Sequence, residues 1–145
     1  SVDEANSAIG MCPHNDIIDR IQNDLFDVGA DIAGAKVTIT QERIDWLENV
    51  MDDMNEYLKP LNSFVLPTGP LHFARTIVRR AERAVWSWMA LDAETHASRE
   101  VNPLLPVYLN RLSDLLFIMA RYNNMLVGEK LWKPMGDGFG YQNEK

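Results

Sequence analysis

Between residues 70 and 92 the chain repeats its apolar side chains at a spacing that only a helix uses. Ala74, Ile77, Val78, Ala81, Val85 and Trp88 recur three or four apart. At about 100° per residue they gather on one side of an α-helix. The opposite side is basic: Arg75, Arg79 and Arg83 stand four apart, with Glu82 beside them and Arg80 completing four arginines in nine residues. Such a segment must bury its apolar back against neighbouring helices. Its front has two readings. It is a solvated face on which Glu82 pairs with Arg79 one turn away, or it is an anion site, because guanidinium forks match phosphate oxygens. Glu82 is the only acid between Phe73 and Leu91, which favours the second.

Helical periodicity extends through most of the chain. A short helix is expected over 3–10, broken near Met11-Cys12-Pro13. A second begins at Asn15 or Asp16, with Ile17, Ile18, Ile21, Leu25, Phe26, Val28 and Ile32 as its apolar stripe and Gly34 as its stop. Thr38 or Thr40 caps a third, which turns Ile44, Leu47, Val50, Met51, Met54 and Leu58 inward and ends before Pro60. Pro70 suits the first turn of the arginine helix. Polar residues over 95–102 connect to a fifth helix behind Pro103 and Pro106, carrying Tyr108, Leu109, Leu112, Leu115, Leu116 and Met119. After Gly128 the sequence reads as an irregular tail, and no strand is expected. The chain is expected to fold as one all-α domain over 1–145, an up-and-down bundle of five helices.

With 145 residues and a formal net charge of −7, the chain does not suit general nucleic-acid binding, which needs positive charge over a broad surface. No apolar run reaches the roughly 18 residues of a membrane span. Cys12 stands alone, which favours a reducing compartment, and a cytoplasmic protein is expected. His72 near an apolar face reads as structural, and His14 and His96 fall in expected loops. No set of His, Cys, Asp and Glu has metal-ligand spacing. The polar run Asn110, Arg111, Ser113 and Asp114 in the fifth helix either fixes helix register or presents Asn110 to a ligand. Phe64, read from its surroundings alone, is a core residue. The sequence offers a candidate anion site without an activated protein nucleophile.

Three segments occur in order: Phe64-Val65-Leu66-Pro67, then Leu71-His72-Phe73-Ala74-Arg75-Thr76-Ile77-Val78-Arg79-Arg80-Ala81-Glu82-Arg83, then Tyr108-Leu109-Asn110-Arg111-Leu112-Ser113-Asp114. With Val2-Asp3-Glu4-Ala5-Asn6-Ser7-Ala8-Ile9-Gly10 and the run 21–31 upstream, the chain resembles the PduO-type ATP:cob(I)alamin adenosyltransferases. The resemblance implies a ferritin-like cobalamin adenosyltransferase bundle, assembled as a homotrimer with active sites between subunits. It implies transfer of the 5′-deoxyadenosyl group of ATP to cob(I)alamin, giving adenosylcobalamin and triphosphate, with Mg²⁺ on the nucleotide. A flavoprotein reductase upstream and a B12-dependent acceptor enzyme downstream are implied partners.

Residue by residue, Arg79, Arg80, Ala81, Glu82 and Arg83 match the family's ATP-contacting run, and Asn110 matches its ATP-contacting asparagine. Asp3 and Arg75 match an interface pair. Phe64 matches the aromatic that closes the lower face of the corrin, so Arg79 and Phe64 carry the expected catalytic roles. Members of the family also hold a Thr/Gly/Asp-rich ATP-binding segment ahead of the position of Ser1, expected here to be missing, and longer stretches near 33–37 and 68–70. The alternative these departures leave open is a corrinoid-binding or delivery protein with little or no transfer activity.

Overall fold

A computed structural model describes residues 1–95, 101–125, 127–134 and 140–142. Five helices follow one another: α1 (Val2–Gly10), α2 (Asp16–Ile32), α3 (Gln41–Asn55), α4 (Pro70–Thr95) and α5 (Leu104–Asn123). Their limits follow from local chemistry. The Asn15 side chain accepts a hydrogen bond from the Ile18 N–H at 2.8 Å, capping α2. Pro70 opens α4 where its missing N–H costs nothing. Gly34, with φ of 85°, takes the turn after α2 at a conformation that side chains disfavour. Thr40, not Thr38, is the N-cap of α3, and it makes no side-chain cap bond. The link is held instead by Asp31, which accepts from the Ile39 N–H and from Asn102, both at 2.9 Å.

The packing runs as a ring. α1 lies against α2 and α4, α4 against α5, and α5 against α3. Polar contacts close it, since Arg43 on α3 reaches Asp27 and Asp24 on α2 at 2.6 and 3.4 Å. Inside sits one apolar cluster, with Ile9, Ile18, Ile21, Leu47, Val78, Leu109, Leu112 and Leu116 out of contact with water. Fully burying each such side chain contributes about 1.5–3 kcal/mol. The all-α five-helix architecture is as the periodicity predicts. Three details differ. Phe26, expected in the stripe of α2, is 73% exposed, because it lies one residue beyond Leu25 and so about 100° off the buried line. Val50, Met54 and Leu58 are only half-buried.

The third difference is a small sheet after Gly128. Strands β1 (Glu129–Leu131) and β2 (Gly140–Gln142) pair antiparallel, and Val65 bridges to Leu131 on the other edge. Three-residue strands are too short to show an alternating pattern in sequence. His96 and most of the expected 95–102 connection lie outside the described residues. No described helix is long and apolar enough to cross a membrane.

Candidate active site

The α4 arginines divide between two directions. Arg79 and Arg83 are exposed, while Arg75 is half-buried a turn earlier. Arg80, about 100° around the helix, turns to α1 and pairs with Glu4. Ala81 is fully buried, so its methyl faces the core on the side away from Arg79. The expected run from Arg79 to Arg83 therefore presents two guanidinium groups, Arg79 and Arg83, on one surface and spends a third on tying α4 to α1.

Glu82 is the centre of the polar arrangement. It is 9% exposed, yet its carboxylate is surrounded by donors. Arg79 donates to it at 3.4 Å, Trp86 Nε1 at 3.4 Å, and Asn110 Nδ2 from α5 at 3.3 Å. On the same helix Ser113 Oγ donates to the Asn110 backbone carbonyl at 2.7 Å. A buried carboxylate is tolerated only with partners of this kind. Its effect is to fix Arg79 and Asn110 side by side across the α4–α5 seam. The Glu82–Arg79 pair expected from spacing forms, and Arg79 and Arg83 stay exposed beside it.

Arg75 stands apart from that cluster. Its guanidinium lies 5.9 Å from the Phe117 ring, and its Nε is buried without a hydrogen-bond partner among the described residues. Burial, then the charge of Arg79, lowers its pKa. Asp3, at the start of α1, is exposed and makes no ion pair with Arg75 among the described residues. It borders a groove of about 490 Å³ shared with Asn6, Ser7, Gln22, Asn23 and Phe26. His72 is buried against Phe117, ring centroids 5.8 Å apart, with neither nitrogen hydrogen-bonded among the described residues. Burial and then Arg75 push its pKa down, as suits a neutral packing residue.

Phe64 is not a core residue. It is 75% exposed, on the segment that borders β1, with its ring 5.9 Å from that of Trp132. The sequence-level reading as core is corrected by this placement, and its reason is backbone pairing: the segment is laid along a strand edge, which leaves the phenylalanine ring outside.

Two arrangements were invisible in the sequence. The first is the buried Asp24, which accepts from Tyr108 Oη at 2.9 Å and faces Arg43. Burial raises the Asp24 pKa, with the Tyr108 hydrogen bond and Arg43 working against the shift. Tyr108 is raised in turn by burial and by Asp24. The second is Arg121, whose Nε donates to both Glu129 oxygens at 2.9 and 3.1 Å and whose terminal nitrogen donates to the Lys59 carbonyl at 2.9 Å. Tyr108 lies within a recognisable motif, but no spacing in the sequence tells which residue its hydroxyl meets. No group of three or more metal-ligating side chains occurs among the described residues.

Comparison with known proteins gives the arrangement its context. Residues 1–123 match the family model described as cobalamin adenosyltransferase. A corrinoid adenosyltransferase of Mycobacterium tuberculosis (strain CDC 1551 / Oshkosh) is 46% identical over 156 aligned residues, covering 93% of this chain and 78% of the relative. That alignment is longer than the 145-residue chain, so the relative holds internal residues that this chain lacks. A cobalamin adenosyltransferase of Cupriavidus metallidurans is 36% identical over 91% of this chain and 77% of its own. Among solved structures, a variant of the PduO-type ATP:corrinoid adenosyltransferase from Lactobacillus reuteri, complexed with cobalamin and ATP, superposes with a TM-score of 0.77. It is 31% identical, over 95% of this chain and 83% of that one.

Proposed function

The chain belongs to the cobalamin adenosyltransferase family, and from that premise we propose that it transfers the 5′-deoxyadenosyl group of ATP to cob(I)alamin. The observation that carries the reading is the meeting of Arg79, Glu82 and Asn110 across the α4–α5 seam. These are residues of the expected ATP-contacting set, and they are held as one unit.

The substrate supplies the nucleophile, so the protein needs no activated serine or cysteine. The Co(I) lone pair forms a bond to C5′ of the ribose. The C5′–O bond breaks, and triphosphate leaves with its electron pair. What the chain must do is align the two reactants and stabilise charge on the departing oxygens. Arg79 and Arg83 provide planar donors on one exposed surface, and Asn110 adds an amide. Glu82 takes no part in the bond changes; it orients Arg79 and Asn110. Mg²⁺ arrives with the nucleotide and neutralises charge on the phosphates when bound.

Asp3 and Arg75 fit opposite sides of a contact between subunits. Each is left without an ionic partner among the described residues, and a homotrimer with sites at the seams satisfies both. Phe64 fits the lower face of the corrin. Occupying that side disfavours an axial donor on Co(II), which eases one-electron reduction to Co(I) by a reduced flavin carried by a partner protein. A cytoplasmic setting suits the free, buried Cys12.

A second reading, a corrinoid-binding or delivery protein, is favoured by the internal residues that the mycobacterial relative has and this chain lacks. Calorimetric titration with Mg-ATP separates the two. Saturable binding that weakens on Arg79→Ala supports the transferase; absence of ATP binding by protein that binds cobalamin supports delivery.

A further inference from the structure

We propose that Trp132 is a positioning residue for Phe64, holding its ring in the orientation that covers the lower corrin face. The inference rests on the role given to Phe64 above. Phe64 sits on a backbone pinned at several points. The Trp132 N–H donates to the Phe64 carbonyl at 2.8 Å, and the Leu66 N–H donates to the Lys130 carbonyl at 2.7 Å. Ser63 Oγ donates to the Trp132 carbonyl at 2.7 Å. The far end of the same segment is tied as well, because Arg121 holds Glu129 on β1 and the Lys59 carbonyl together.

These bonds fix the main chain but not the phenylalanine side chain. An exposed ring on a rigid backbone still turns about χ1 and χ2. The Trp132 indole, 5.9 Å away and inclined at 51°, restricts that freedom through a tilted aromatic contact. Trp132 is itself 47% exposed, so the two rings form one apolar ledge facing outward. A flat hydrophobic ligand face is what such a ledge suits. Trp132 does not exchange electrons or protons in this assignment. It acts through Phe64 alone, by keeping the axial position on Co(II) empty while one electron from a reduced flavin converts Co(II) to Co(I).

The test uses the full chain with ATP present, in two assays: one starting from cob(II)alamin with reduced flavin, the other from chemically pre-reduced cob(I)alamin. Trp132→Ala is expected to slow the first on the order of tenfold, the scale of a misplaced positioning group, and to leave the second unchanged. Trp132→Phe retains most of the activity in both. In the Phe64→Ala background, Trp132→Ala has no further effect. The electron paramagnetic resonance of bound Co(II) should show the fraction lacking an axial donor falling in Trp132→Ala and Phe64→Ala alike. Equal loss in both assays makes Trp132 merely structural and overturns the proposal. Loss from Phe64→Ala without loss from Trp132→Ala also overturns it while leaving the Phe64 reading intact. If Phe64→Ala is silent in both assays, the Phe64 reading falls and this proposal falls with it.

Discussion

Asn110 on α5 donates to both carboxylate oxygens of Glu82 on α4, at 3.3 and 3.5 Å. The two longest helices are thereby joined by a polar contact at the point where Arg79 emerges. Removing the amide leaves Glu82 with fewer donors and Arg79 with a looser partner. Asn110→Ala should weaken Mg-ATP binding by about tenfold, or about 1.4 kcal/mol, while stability to urea falls by about 1 kcal/mol. Calorimetry and urea unfolding on the same preparation check the pair. A stability loss without any change in ATP binding would make the contact a register lock only.

Arg79 permits a cleaner separation. It is exposed and its ion pair with Glu82 is long, so its contribution to folding is small. Arg79→Ala should leave the urea midpoint nearly unchanged and reduce ATP affinity about tenfold or more, as loss of a charge-assisted phosphate contact does. Arg79→Lys should recover only part of that affinity, because an ammonium keeps the charge without the planar fork. Full recovery with lysine would show that only charge matters at this position.

The fold was largely legible in the sequence because its helices are long and amphipathic. The alternation of Arg75, Arg79 and Arg83 against Ile77, Val78 and Ala81 specifies both the helix and its buried side. The site was legible in part. Glu82 pairing with Arg79 follows from spacing, and the link to Asn110 follows from no local rule, since it joins residues 28 positions apart. The exposure of Phe64 was hidden for a similar reason: it depends on backbone pairing with residues 130–132, and the strand involved is too short to announce itself. Arg80 belongs to the ATP-contacting run that the resemblance implies, and its pairing with Glu4 of α1, 76 positions away, follows from no local rule.

His72 gives the bundle a pH dependence with a defined sign. Its folded-state pKa lies below the ordinary histidine value because of burial and then Arg75. The folded state therefore holds the neutral ring more readily than the unfolded chain does. Stability from this group is complete above the unfolded pKa of about 6.5 and is lost as pH falls through the lower folded value. Urea unfolding at about pH 7.5 and about pH 5.5 should show wild type losing more stability on acidification than His72→Leu does. Identical slopes would remove His72 as the source.

Asp24 and Tyr108 support the α2–α5 contact from inside. Tyr108→Phe removes the hydroxyl that donates to a buried carboxylate, and should cost about 1–3 kcal/mol by leaving that group less satisfied. The double mutant with Asp24→Asn should lose less stability than the sum of the two single losses, since the residues share one bond. A urea double-mutant cycle measures this. Strict additivity would mean that Asp24 relies on Arg43 instead.

The trimer reading turns on Asp3 and Arg75. Asp3→Ala should shift the protein toward smaller species in sedimentation velocity, with the helical circular dichroism of each chain retained. An unchanged trimer would place the interface elsewhere.

The most direct measurement is turnover itself. Protein, Mg-ATP and chemically reduced cob(I)alamin are combined without oxygen, and the products are separated. Transfer predicts adenosylcobalamin and triphosphate in equal amounts, with both lost on Arg79→Ala. Folded protein that binds cobalamin yet yields neither product would contradict the account and leave a corrinoid carrier in its place.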